Sequence, residues 1–172
     1  MSDNLLTIEA LQDRLAQNAR LAGLDLGTKT IGISVSDPAR RVATPSRTIR
    51  RKKFSLDAAE LIKFADQHLI RAFIIGMPYN MDGSEGPRAQ ATRAFVRNMA
   101  ALYRRPFVLW DERLSTAAVT RTLIQQDASR ERRAAVVDEH AAAFILQGAL
   151  DRLRVLESSA ERNSGNAISA KE

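Results

Sequence analysis

The sequence predicts an α/β domain with a five-stranded mixed sheet flanked by helices. Short apolar runs at 20–26, 30–36 and 42–49 follow one another through brief polar connectors, which is the pattern of a meander. Two later all-apolar runs, Ala72–Gly76 and Pro106–Trp110, each follow a stretch of helical periodicity. A strand reached through a helical crossover lies parallel to its neighbour and is covered on both faces. A last amphipathic stretch completes the order β-β-β-α-β-α-β-α-α.

Residues 1–19 read as an extension, with Ile8, Leu11 and Leu15 at the spacing of a short helix. The first strand is Arg20–Leu26, and Gly-Thr-Lys-Thr turns it into the second, Thr30–Ser36. Asp37-Pro38 opens the next turn. Pro45 within Val42–Ile49 places the third strand at an edge, because proline cannot donate to a ladder. Ser55 is the expected cap of a helix to His68 that buries Leu56, Ala59, Ile62 and Phe64. A polar loop, Met77–Gly86, leads to Pro87 as first residue of a helix to Tyr103, with Phe95, Met99 and Leu102 as its core stripe. After the last strand, Ser115 caps a helix to Gln126, and a final helix spans Ala134–Leu156. The main domain is therefore 20–156, and the small polar residues of 157–172 predict a disordered tail.

A chain of 172 residues with 45% hydrophobic and 27% charged residues is long enough for one well-buried core. The absence of cysteine excludes a disulfide frame, a thiolate nucleophile and a zinc–thiolate site. With two histidines as well, a transition-metal centre is not expected. No apolar stretch approaches the ~20 residues of a membrane span. Asp3 and Glu9 break up the N-terminus, so no secretory signal is read there and a cytoplasmic location is expected.

The net charge is +6, and arginine supplies most of the positive side. Between Arg40 and Lys53 stand Arg40, Arg41, Arg47, Arg50, Arg51, Lys52 and Lys53 without an acid. Such a block is either a solvated face or a grip on nucleic-acid phosphates.

Three acids hold comparable addresses. Asp25 interrupts an apolar strand near its C-terminal end, and Gly27 follows it. Glu112 lies just past the end of the last strand, with Asp111 beside it as a decoy. Ala142, Ile145 and Ala149 follow Asp138 on one helical face, so Asp138 faces the sheet. Singly, each acid has a plainer role: a strand-end polar residue, a loop acid, a helix N-terminal acid. Jointly, three converging carboxylates would repel one another unless a cation lay between them. Hard oxygen donors select Mg²⁺ or Mn²⁺, and two such ions about 4 Å apart suit phosphodiester cleavage. Lys29 and Arg113 adjoin these acids and could contact phosphate or balance charge.

Four motifs in order resemble the YqgF/RuvX family of Holliday junction resolvases and pre-16S rRNA nucleases. They are Leu24-Asp-Leu-Gly-Thr-Lys-Thr-Ile-Gly-Ile-Ser-Val-Ser-Asp37, Ile75-Gly-Met-Pro-Tyr-Asn-Met-Asp-Gly-Ser-Glu-Gly86, Asp111-Glu-Arg-Leu-Ser-Thr116 and Val137-Asp-Glu-His-Ala-Ala-Ala-Phe-Ile-Leu-Gln147. The resemblance implies a ribonuclease H-like fold and a metal-dependent nuclease with Asp25, Glu112 and Asp138 as catalytic, metal-holding acids. It implies an rRNA precursor as substrate, trimmed at its 5′ end, and a pre-ribosomal particle as partner. Asp37 and Glu139 are candidates for the fourth acid of related resolvases. Nucleic-acid contacts are expected from Lys29, Arg40, Arg41, Arg50, Arg51, Lys52, Lys53 and Arg113. A DNA junction resolvase is the alternative and would need a symmetric dimer; a monomer or weak homodimer is expected. A non-catalytic RNA-binding assembly factor is a third reading. Asp25-Leu-Gly-Thr28 also resembles the first phosphate loop of actin-like kinases, but the chain is too short for their two lobes.

Overall fold

The computed structural model describes residues 3–114 and 130–169, and within its last helix the side chains of 138–163. The strands are β1 (Leu5–Leu6), β2 (Arg20–Leu26), β3 (Thr30–Ser36), β4 (Ala43–Arg50), β5 (Ile70–Met77) and β6 (Phe107–Asp111). The helices are α1 (Ile8–Gln12), α2 (Phe54–Gln67), α3 (Pro87–Leu102) and α4 (Arg130–Ser169). One sheet runs β1-β6-β5-β2-β3-β4. β2, β3 and β4 form the antiparallel meander, and β5 and β6 join β2 in parallel. Pro45 lies on edge strand β4, where the register slips between Ile33 and Ser34. The bulge leaves Ser46, next to Pro45, out of the ladder.

The sheet has six strands rather than five. The additional one, β1, pairs in parallel with β6 at Leu5↔Phe107 and Leu6↔Val108. Two residues carry no readable period, so only their partner reveals them. The Asn4 side-chain amide holds the segment, donating to the carbonyls of Ala100, Tyr103 and Arg105 at 3.1, 2.9 and 3.1 Å. Leu11 of the expected short helix is fully buried, so residues 1–19 belong to the core rather than forming a separate appendage.

Apolar side chains alternate between two layers. Leu24, Ile31, Ile33, Phe73, Ile75 and Phe107 pack against α2 and α3. Leu21, Ala72, Ile74, Val108 and Trp110 pack against α1 and α4. This sheet with helices on both faces is the expected fold class.

Four expectations are corrected. α2 buries Asp57, Ala58, Leu61, Phe64 and Ala65, while Leu56 is exposed. That face includes Asp57, whose buried carboxylate accepts from the Lys52 N–H at 2.9 Å and lies 3.9 Å from the Arg51 guanidinium. Ser55 is not the cap; Lys53 holds that position without a side-chain bond. Leu102, at the end of α3, is exposed. The tail from 157 continues α4 to Ser169 rather than being disordered. Its Ala, Glu and Arg are good helix formers. Ser158 and Ser159 donate back to the carbonyls of Arg154 and Val155. The helix expected over Ser115–Gln126 lies outside the described residues.

Candidate active site

The site is built on a row of residues across the sheet. Thr48 of β4 faces Gly32 of β3, and Gly32 faces Asp25 of β2. Continuing the β2–β5 register one residue past Leu24↔Ile75 brings Asp25 beside Gly76, which faces Trp110 of β6. Neighbours in register share a face, so this row lies under α4. Asp25, 2% exposed, thus stands between two glycines.

Both glycines are required by what closes over them. A Cβ on Gly32 would collide with the backbone carbonyl of Asp138. A Cβ on Gly76 would stand 2.6 Å from Glu112 Oε1 and 2.5 Å from Ile145 Cδ1. The helix bearing Asp138 therefore sits directly on one neighbour of Asp25, and the Glu112 side chain lies over the other. An isolated glycine in an apolar strand signals such a close approach. That signal stands in the sequence at Gly32 and Gly76.

Two hydroxyls secure the described start of α4. Thr30 of β3 donates to Asp138 Oδ2. Thr48 of β4 donates to Glu139 Oε1 at 3.0 Å. The hydroxyl of β3 thus holds Asp138, and that of the edge strand β4 holds Glu139. Asp37, the other fourth-acid candidate, lies at the opposite end of β3. It closes the β3–β4 turn by accepting from the Arg41 and Val42 N–H groups at 2.7 and 2.9 Å, and these bonds hold its carboxyl below the ordinary range.

Glu112 opens a 3₁₀ turn, Glu112–Leu114, at the end of β6. The decoy reading of Asp111 fits its partner: hydrogen bonds from the Arg113 guanidinium hold its carboxyl below the usual range. Arg113 also lies 5.6 Å over the Tyr79 ring and reaches the carbonyls of Asn80 and Met81 at 3.4 Å, tying down the loop after β5.

The basic run divides. Arg50 pairs in register with Thr30, so Arg50, Arg51, Lys52 and Lys53 lie at the acid end of the sheet. Lys29 is exposed on the β2–β3 turn at that same end. Arg40 and Arg41 occupy the β3–β4 turn, about 26 Å away at ~3.3 Å per strand residue. Arg40 is committed within the fold: its guanidinium donates to the carbonyls of Ala16 and Ala19 and pairs with Glu157 at 3.3 Å. Arg47 is paired with Glu60. Arg51 binds the Gly27 carbonyl at 2.7 Å, fixing the turn behind Asp25. Of this run, Arg50, Lys52 and Lys53 are exposed at the acid end, beside Lys29.

The acids and hydroxyls here are hard oxygen donors, matched to Mg²⁺ or Mn²⁺ rather than to thiophilic metals. Among the described residues, no three His, Cys, Asp or Glu side chains form a ready-made cluster. The backbone brings the acid-bearing elements together, and the carboxylates themselves are not drawn around one point.

Known proteins resemble this chain over most of its length. A protein of Beijerinckia indica named "Putative pre-16S rRNA nuclease" is 60% identical over 163 residues, covering 95% of this chain and 99% of that one. A protein of Rhizobium meliloti with the same name is 63% identical over 156 residues, covering 91% and 94%. The fold matches T. thermophilus RuvC in complex with Holliday junction substrate at a TM-score of 0.51, with 11% identity over 78% of this chain and 96% of that one. A family model described as RuvX, Holliday junction resolvase, matches residues 19–152, and the chain belongs to that family.

Proposed function

We propose that this protein is a metal-dependent endonuclease that cleaves phosphodiester bonds in the 5′ region of pre-16S rRNA during ribosome biogenesis. The observation that carries the reading is the pair of glycines beside Asp25, which lets the elements bearing Glu112 and Asp138 close over a buried carboxylate. A protein that only gripped phosphates would gain nothing from acids there, because carboxylates repel them. The relatives' name supplies the RNA substrate.

In this reading Asp25, Glu112 and Asp138 hold the divalent cation. The chemistry supplied by bound Mg²⁺ or Mn²⁺, two ions here, is activation of a water and stabilisation of the leaving oxygen. Asp25 is the rigid member, fixed in the centre of the sheet, while Glu112 and Asp138 approach from the 3₁₀ turn and the helix. Lys29, Arg50, Lys52 and Lys53 grip the phosphates flanking the cut. Arg51 and Arg113 act one step back, holding the turn behind Asp25 and the loop beside Glu112. The pre-ribosomal particle would present the precursor. Among the described residues no helix is long and apolar enough to cross a membrane, and the reading places the protein in the cytoplasm as a monomer or weak homodimer.

The test is cleavage of a labelled pre-16S 5′ fragment beside a four-way DNA junction, with Mn²⁺, with Mg²⁺ and with EDTA. Asp25→Asn runs alongside. Metal-dependent RNA cutting, lost in the variant while RNA binding persists, is the expected outcome. Full cutting by Asp25→Asn would overturn the mechanism. The family description favours one second reading, a DNA junction resolvase. That version requires two sites related by a two-fold axis, so a monomeric native mass with junction bound would sink it.

A further inference from the structure

We infer that Thr30 is a positioning residue for the Asp138 carboxylate, and that its hydroxyl sets the affinity of the site for its divalent ion. The inference rests on the reading of Asp138 as a metal ligand.

The argument starts at the β2–β3 turn. Gly27 N–H donates to the Thr30 carbonyl at 2.9 Å, closing the turn. Arg51 clamps it twice, through its backbone N–H to the Lys29 carbonyl at 2.8 Å and its guanidinium to the Gly27 carbonyl at 2.7 Å. Thr30 is therefore mounted on a rigid connector at the acid end of the sheet. Threonine is β-branched, so few χ1 rotamers are open to it. From there its Oγ1 donates to Asp138 Oδ2.

Asp138 is carried by α4. Its backbone carbonyl rests against Gly32, which fixes the height of α4 above the sheet but not the rotation of the carboxylate. Thr30 supplies that second constraint from outside the helix. With one oxygen held by the hydroxyl, the carboxylate plane is fixed before an ion arrives. Partners that orient metal ligands are worth about 10–100-fold in metal affinity when removed. Thr48 acts on Glu139 in parallel, so adjacent acids are sorted to different strands.

A merely structural role predicts something else. If Thr30 only fastened α4 to the sheet, its loss would lower thermal stability and leave ion affinity unchanged in the folded protein.

The experiment measures Mn²⁺ binding to the full chain by calorimetry, with thermal midpoints recorded in parallel. The proteins are wild type, Thr30→Val, Thr30→Ser and Asp138→Asn. The expected result is a loss of about 10-fold or more in Mn²⁺ affinity for Thr30→Val, near-wild-type affinity for Thr30→Ser, and a loss at least as large for Asp138→Asn. Wild-type affinity in Thr30→Val beside a loss in Asp138→Asn overturns the role of Thr30 and leaves that of Asp138 standing. Equal losses in the Ser and Val variants would show that the methyl group matters, and also overturn it. Unchanged affinity in Asp138→Asn removes the metal-ligand reading and the inference with it.

Discussion

Gly76 and Glu112 share one space: a Cβ on the glycine would lie 2.6 Å from the Oε1 of the glutamate. Gly76→Ala should therefore push Glu112 off its place beside Asp25. Overpacking of this kind costs about 1–3 kcal/mol. Nucleolytic rate should fall at least about tenfold, because misplaced catalytic groups lose orientation. Gly86→Ala is the control, since its Cβ would meet Asn80 at an ordinary 3.4 Å. Cleavage rates and urea midpoints of both variants check this; equal rates would show that Glu112 is not needed where it stands.

The divided basic run makes a prediction about salt. Replacing Arg50, Lys52 and Lys53 with Gln should lower the slope of log K against log salt by about 2, since each phosphate contact contributes ~0.7–0.9. Arg41→Gln, at the far turn, should leave the slope unchanged. RNA binding measured across a salt series distinguishes the two.

The N-terminal segment should contribute to stability without touching chemistry. Asn4→Ala leaves buried carbonyls of the α3–β6 connection short of a donor and should cost about 1–3 kcal/mol. Leu11→Ala opens a cavity under α4 and should cost about 2–5 kcal/mol. Urea unfolding gives both values, and cleavage well below the thermal midpoint should stay at the wild-type level.

Asp37 predicts a pH dependence. Its carboxyl lies below the ordinary range because the N–H groups of Val42 and Arg41 donate to it. A depressed folded-state value stabilises the fold above the unfolded pKa of about 3.9, and that contribution is lost as pH falls through the folded value. Asp37→Asn should be less stable than wild type near neutrality, and the gap should close in acid. Urea midpoints at pH 7 and pH 2.5 test the sign.

Much of the layout was legible from periodicity. The meander, the two parallel strands and the edge position of Pro45 follow from run length, connector length and the missing N–H. The addresses of Asp25, Glu112 and Asp138 followed from strand ends and one helical face. What escaped has physical causes. β1 is too short to show a period. The buried face of α2 runs through Ala58, Leu61 and Ala65 as well as Phe64, so Leu56 and Ala59 turn outward and the charged Asp57 inward. The basic run looked like one patch because sequence adjacency hides the length of β4. Thr30, Gly32 and Gly76 earn their places only through contacts with residues distant in the chain.

Thr30 and Asp138 meet across a sequence separation of 108 residues. Contacts so non-local form late, after the entropy of closing the intervening chain has been met. On a translating ribosome the strand carrying Asp25 emerges early, and the helix carrying Asp138 follows only when most of the chain has been made. A nascent copy consequently holds its central carboxylate without the helix that carries Asp138. On the function proposed above, such a copy would not yet cleave RNA.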